Sequence, residues 1–330
     1  MTGYLLRRAL ASLPTLLLVM GVMFLLLQGL PGDPAEVRLG GEESRPTDRA
    51  AVEHLRREFG LDRSIGVQAL DWMRRCVLFD FGLSFSDRSA VGPKVARALW
   101  ATAVLNGSAL LLLLVCSLFA GLWLAVRSGT FLERGAGHLL AVLSVVPAAW
   151  GALLLQRFLA VDLGWFPLLG AGPAGAGSGE GLLAPRIAYL CVPVLAFAYR
   201  GTALYTLLVR EAFVEALHAD HVMAARARGL PTRLLYLRHA LGAASRTLIT
   251  TSAPLARALV AGNVVIESVF AWPGAGRLLV ESVLQRDYPV LMALTWISIL
   301  FTLGWILFAD LILGWVDPRL RLHDSEGAGA

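Results

Sequence analysis

Charge is absent from long stretches of this chain. Ala9 to Gly32 carries none, and neither does Ala98 to Val126, which Arg97 and Arg127 bracket. Gly135 to Gln156 is uncharged with Pro147 inside it, Ile187 to Val209 is interrupted only by Arg200, and Thr247 to Phe270 by Arg257 and Glu267. Tyr288 to Ala309 is uncharged, and its apolar pattern runs on past Asp310 to Trp315. A transmembrane helix needs about 20 mostly apolar residues. The pattern therefore predicts an all-α integral membrane protein with six transmembrane helices. The first run follows Arg7 and Arg8 as a signal peptide would, but it is long and ends at Pro31-Gly32-Asp33-Pro34, not at a small-residue cleavage site. A retained helix is the expectation.

Between the runs the pattern changes. Ser44 to Leu61 places Val52, Leu55 and Phe59 at helical spacing and stops at Gly60, which predicts an amphipathic helix in water. Val67 to Val77 predicts a second, with Arg56-Arg57 and Arg74-Arg75 as solvated faces. Gly170 to Gly181 reads as a loop and Gly327 to Ala330 as a frayed tail. Composition agrees: 57% of the 330 residues are hydrophobic and 16% charged, against roughly 25% charged in a soluble domain. That excludes a soluble enzyme, a disordered chain and a disulfide scaffold, the last also because Cys76, Cys116 and Cys191 are odd in number. The net charge of +5 invites a nucleic-acid reading, but the arginines sit in loops. With the N-terminus inside, the inner segments hold twelve Lys and Arg and the short outer loops three. Residues 31–97 carry eleven basic and eleven acidic groups, and so long a loop crosses largely regardless of charge. Both termini are therefore expected in the cytoplasm. Trp165, Trp272 and Trp315 fall at expected membrane interfaces.

Candidate chemistry is sparse. The chain's one lysine, Lys94, is followed by Val95, so no G-x-x-x-x-G-K-[ST] phosphate loop exists. If ATP drives this protein, another polypeptide hydrolyses it. No H-E-x-x-H occurs, and His218 with His221 lacks a convincing third ligand, so no metal is expected. Ser108 lacks a base in a partner span and reads as a helix-packing residue. Neither a catalytic residue nor a cofactor held by this chain is expected.

Arg210 to Arg246 is the longest inner loop. Ala219 to Arg228 predicts a short helix rich in alanine, stopped by Gly229-Leu230-Pro231, and Thr232 to Leu241 begins a second helix leading into span five. A small-residue helix held between two spans suits docking in a partner's groove; a plain surface hairpin would show the same composition. The residues themselves carry a resemblance. Asp220-His221-Val222-Met223-Ala224-Ala225-Arg226-Ala227-Arg228-Gly229-Leu230, followed by Arg238-His239-Ala240-Leu241, resembles the EAA loop of binding-protein-dependent ABC importer permeases, in the dipeptide/oligopeptide/nickel branch. Tyr4 to Arg8, Leu13-Pro14-Thr15, Pro31 to Pro34, Glu58 to Asp62, Asp80 to Ser84, Val265 to Gly276, Arg286 to Pro289 and Asp317 to Arg321 resemble the same branch in order. Met223 replaces the Glu of the older consensus and His221 the usual Tyr. Ser245-Arg246-Thr247 stands where the branch has Leu-Leu-Pro before span five.

The resemblance implies a type I ABC importer fold with a cytoplasmic EAA-type coupling loop, in the plasma (inner) membrane of a bacterium or archaeon. It divides the chain into 1–94 (first span and long periplasmic segment), 95–316 (spans two to six) and 317–330 (cytoplasmic tail). It implies a transport subunit and not an enzyme, forming half of the pathway for di- or oligopeptides. Expected partners are a second permease, most simply as a heterodimer, two ABC ATPases that use ATP and Mg, and a periplasmic or lipid-anchored substrate-binding protein. Nickel or another small solute is an alternative cargo. A secondary transporter is a further alternative, disfavoured by the absence of matching halves. The resemblance assigns coupling to Asp220, His221, Ala224, Ala225, Arg226, Ala227, Arg228, Gly229 and Leu230, with Ala224, Ala225, Gly229 and Leu230 as the contact core. Arg200, Arg257 and Glu267 are pathway or gate candidates because charge inside a span needs an aqueous or protein-lined setting. For Glu267, solvation at a helix end is the simpler expectation; Arg257 could equally pair with Asp310 or with an acid of a partner subunit.

Overall fold

The computed structural model describes residues 2–29, 49–60, 62–170, 183–242 and 263–316, with 244 and 248 between the last two blocks. Arg257, Arg246, the 171–181 loop, residues 44–48 and the 317–330 tail lie outside the described residues. Among those described the chain is helical, with one isolated bridge between Leu83 and Ala90. The helices are α1 (Thr2–Gly29), α2 (Arg49–Phe59), α3 (Ile65–Leu78), α4 (Val91–Val126), α5 (Phe131–Val145), α6 (Ala148–Gln156), α7 (Leu183–Leu217), α8 (Asp220–Ala227), α9 (Val264–Val269), α10 (Ala275–Leu284) and α11 (Tyr288–Val316). A wider turn, Arg157–Asp162, extends α6, and Thr232–Leu234 continues into a similar turn at Leu235–Ala240. Contacts group the chain into two units, Met1–Leu99 with Leu278–Ala330, and Trp100–Arg277. The sequence-based division at 94/95 instead kept all of spans two to six together.

In the first unit α1 and α11 pack on each other and on α3. Phe24 of α1 stacks on Trp72 of α3 at 5.7 Å between ring centroids. Leu16 and Met20 of α1 are buried with Phe24, while Leu18, Leu25 and Leu26 on the other side are exposed. Burial pushes the Cys76 thiol on α3 up to about 12, so it stays neutral and unreactive. The polar centre of the unit is Asp287, just before α11 and 1% exposed. Its carboxylate accepts hydrogen bonds from Ser84 Oγ, from Phe85 N at 3.0 Å and from Ser86 Oγ at 3.0 Å. Lys94 Nζ lies 3.9 Å from it and 2.9 Å from Asp87 Oδ2. Buried acids persist only when bonded and paired in this way. Two separate sequence motifs, Asp80 to Ser84 and Arg286 to Pro289, are thus one structural feature. Partial burial opposes ionisation of Asp87, but hydrogen bonds from Lys94, Ser89 and Ser84 together outweigh it and hold its carboxyl well below the usual carboxylate range.

In the second unit α4 and α7 are long enough to cross a membrane, at 36 and 35 residues. They touch closely at Gly121, where an added Cβ would lie 2.6 Å from Val209 Cβ and 2.8 Å from the Thr206 carbonyl oxygen. The third expected span is not one helix. α5 and the α6 segment meet at 103° across Val146-Pro147. Pro147 has no N–H to continue α5, and it drives Val146 out of the helical region, to φ −57° and ψ 125°. The Ser144 and Val146 carbonyls find donors on α7, and the Pro147 oxygen, which already accepts from Gly151 N at 3.0 Å, lies within reach of the same hydroxyl. Tyr199 Oη lies 3.0 Å from the Val146 oxygen and 3.1 Å from the Pro147 oxygen, sharing its hydrogen between them. Arg200 Nε donates to the Ser144 carbonyl at 2.9 Å. The Tyr199 ring fits because residue 151 is glycine; a Cβ there would collide with it.

Two outcomes are expected of the purified protein. Tyr199→Phe removes the bridging hydroxyl and lowers stability by about 1 kcal/mol, and Gly121→Leu, which forces α4 from α7, by about 1–3 kcal/mol; thermal unfolding in detergent measures both. A carboxyl depressed in the fold stabilises above its unfolded pKa of about 3.9 and ceases to as pH falls through the folded value. The contribution of Asp87 should therefore be intact above about pH 4 and decline below it, and Lys94→Met should flatten that decline in a pH series of melting temperatures.

Candidate functional site

Residues 219–230 fold as one small helix with a defined stop. Asp220 opens α8, where a carboxylate complements the helix dipole. After Ala227 the chain reverses by a Schellman turn. Gly229 N donates to the Arg226 carbonyl at 3.0 Å and Leu230 N to the Ala225 carbonyl at 3.4 Å. Gly229 holds φ +78°, a region costly for any residue with a Cβ. Nothing lies within 4 Å of where its Cβ would stand, so the position is open on its outer side.

The helix has two faces. Val222 and Ala225 are fully buried against Leu235, with Leu230 half-buried beside them. Asp220, His221, Met223, Ala224, Arg226, Ala227, Arg228 and Gly229 are exposed. The sequence reading put Ala225 in the contact core with Ala224, Gly229 and Leu230. The structure turns its side chain into the chain's own packing, where it fastens α8 and presents nothing outward. Beneath the loop, Ala125, Ala212, Phe213, Ala216 and Ala240 form a second cluster, with Tyr236 meeting Phe213 edge-on at 5.9 Å. Arg210 of α7 adds a charged strut. Its Nη2 lies 2.8 Å from Glu133 Oε1. Glu133 also closes the start of α5, where its N–H donates to Thr130 Oγ1 at 3.2 Å and its Oε2 accepts from Gly129 N at 3.4 Å. α8 is thus tied through α7 to the first turn of α5.

Glu267 is not solvated at a helix end. It is 0% exposed, and its carboxylate binds the start of α10. Thr102 Oγ1 donates to Oε1 at 2.8 Å and Arg277 N to Oε2 at 3.0 Å, while Ala275 N donates to Thr102 Oγ1 at 2.8 Å. The first-turn N–H groups of a helix have no partner within it, so a buried carboxylate there satisfies them. The chain between α9 and α10 turns through Ala271 at φ +51°, whose carbonyl accepts from Arg277 Nη1 at 2.6 Å. Trp272 was expected at a membrane interface; it is 6% exposed, and Nε1 donates to the Ala101 carbonyl at 2.9 Å. Of the other charged span residues, Arg200 is exposed and bonded to Ser144 as described.

Sequence reasoning did not single out Val222, Thr102, Tyr199, Glu133 or Arg210. Of these, only the Thr130-x-x-Glu133 spacing is a local signal. Glu267→Ala should leave the Thr102 hydroxyl and the Arg277 N–H without acceptors and cost about 2–6 kcal/mol, at about 1–3 kcal/mol for each group. Glu267→Gln, which keeps one acceptor oxygen, should fall between Ala and the parent in thermal unfolding of the detergent-purified protein.

The family described as "Binding-protein-dependent transport system inner membrane component" matches residues 117–322, and the N-terminal counterpart of that family matches residues 1–106. The oligopeptide transport system permease protein AppB of Bacillus subtilis is 32% identical over 322 residues, covering 97% of this chain and 100% of the relative. The glutathione transport system permease protein GsiC of Escherichia coli K12 is 32% identical over 326 residues, covering 97% and 99%. The GsiC protein of Salmonella choleraesuis is 31% identical over 325 residues, again covering 97% and 99%. Among solved structures, a chain of the MetNI methionine ABC transporter in an inward-facing form aligns with a TM-score of 0.47 at 18% identity, covering 65% of this chain and 95% of that one. Matched along nearly its whole length, this chain belongs to the family of inner membrane components of binding-protein-dependent transport systems.

Proposed function

We propose that this chain is the permease subunit of an ATP-driven importer and forms half of the pathway by which di- and oligopeptides cross the inner membrane. The observation that carries the mechanism is the two-faced α8, whose Val222 and Ala225 lock it to its own chain while its small and basic residues stand outward on a rigid glycine stop. An ATPase groove is the fitting partner, since Ala224 and Gly229 allow close backbone approach and Asp220, Arg226 and Arg228 surround them with polar contacts. In this reading two ATPase chains use ATP and Mg on the cytoplasmic side, where both termini also lie. A second, different permease completes the conduit, and a binding protein delivers cargo from outside. The peptide class is supported by the relatives, one named for oligopeptides and the other for glutathione, itself a small peptide.

The helix connections support a route for the motion. Force on α8 passes into α7 directly, because only two residues separate them, and reaches the start of α5 through Arg210 and Glu133. ATP need only favour one of two arrangements of these helices for the cycle to run.

Gly229→Asp adds charge and bulk on the open side, with backbone strain of about 1–2 kcal/mol. Ala224→Trp adds bulk with no such strain. Both should insert at normal levels yet lose peptide uptake and co-purification of the ATPase. Uptake at the parent rate with either variant, measured in cells against membrane-fraction abundance, would overturn the coupling role.

A further inference from the structure

Arg200 has no part in the coupling reading. Along α7 it lies about 20 Å from Ile187 and about 14 Å from Val209, the ends of the apolar run it interrupts, which puts it near mid-membrane. The residue is exposed, and its Nε donates to the Ser144 carbonyl at 2.9 Å. Among the described residues the guanidinium makes no further hydrogen bond and meets no carboxylate. Glu133 is taken by Arg210, and Glu211, the next acid on α7, stands about 16 Å further along the axis. Residues 243–262, outside the described part, contain neither Asp nor Glu.

Two independent features meet at this depth. One is the guanidinium itself, which is costly against lipid and whose side chain is too short to reach either headgroup layer. The other is the 103° break at Val146-Pro147, one residue away across the Tyr199 hydroxyl. Backbone that leaves a helix at membrane depth is tolerated where it is buried in protein or lines water, and broken spans form the solute sites of many transporters. Pro147 is exposed, so the break is not sealed within this chain. A water-filled passage accommodates both features. The bond from Nε to Ser144 also fixes the plane of the guanidinium and leaves its two terminal nitrogens for another partner.

We propose that Arg200 is a cargo contact: held by Ser144 through Nε, it offers Nη1 and Nη2 to the conduit, where they take the C-terminal carboxylate of a passing peptide. Linear peptides carry that group whatever their side chains, and a planar guanidinium meets a carboxylate with two parallel N–H donors. The contact rests on the permease reading and on peptides as its cargo.

The test is trialanine uptake by proteoliposomes holding the whole transporter and its binding protein. Arg200→Gln, which can still donate to Ser144, should assemble normally and lower uptake about tenfold or more, as loss of a charge-assisted pair does. A second variant carries Arg200→Cys with Cys76→Ala, Cys116→Ala and Cys191→Ala. Its thiol should react with water-soluble methanethiosulfonates during turnover, and more slowly when trialanine is present. The adduct bearing an ammonium group should recover uptake, and the adduct bearing a sulfonate should not. If Arg200→Gln fails to assemble, the two adducts decide. A thiol that does not react belongs to lipid or to a closed interface, and labelling indifferent to trialanine, or uptake at the parent rate in Arg200→Gln, leaves Arg200 a structural role alone; each overturns the contact. A parent system that takes up no trialanine would instead overturn the peptide reading, and the contact with it.

Discussion

A backbone carbonyl or N–H inside a bilayer has no water to turn to, and leaving one unbonded costs several kcal/mol. Among the described residues, two helix breaks show how a side chain from elsewhere replaces the lost partner. At Val146-Pro147 the donors are the hydroxyl of Tyr199 and the guanidinium of Arg200. Beyond α9 the acceptor is Glu267, with Thr102 as intermediary and the indole N–H of Trp272 holding the turn to α4. Arg200 and Glu267 draw attention in sequence because charge in a span is expensive. In the structure that charge supplies hydrogen bonds to backbone groups in the end turns of neighbouring helices.

The same logic explains how α8 is held to the helices beside it. Its attachment is one apolar seam, Val222 and Ala225 against Leu235. Its stop leaves no backbone freedom, since two hydrogen bonds and a glycine at positive φ fix the direction of the chain. A surface hairpin, the other reading of its composition, needs neither a buried seam nor a bonded stop. The short link to α7 and the Arg210–Glu133 bond join α8 to the start of α5.

Features set by local chemistry were legible in the chain itself. The uncharged runs located α1, α4, α7 and α11, and Gly60 and Gly229 marked stops that the structure realises at φ +69° and +78°. The existence of α3 followed from the sequence, but not its faces: Trp72 and Cys76 are buried while Val67, Leu70 and Val77 are exposed. What escaped was decided by partners distant in sequence. Pro147 was visible, but a kinked helix and a 103° break differ only in whether Tyr199 and Arg200 are there to bond the freed carbonyls. Glu267 and Trp272 read as helix-end and interface residues because nothing nearby announces Thr102 or the Ala101 carbonyl. Ala225 and Ala224 are the same residue type on one short helix, and only the position of Leu235 makes one of them core.

The anchorage of α10 also constrains how this corner can change over generations. The space a methyl group would need at Gly274 is already filled by the carboxyl of Glu267, and at Gly276 an added carbon would press on the same carboxyl and on the backbone of Val264 at 2.9 Å. An alanine at either glycine expels the acid, and a larger acid-bearing side chain has nowhere to go. The three positions form an interlock that can drift only as a set, so exchanges among descendants of this chain should be rare there and, where they occur, concerted.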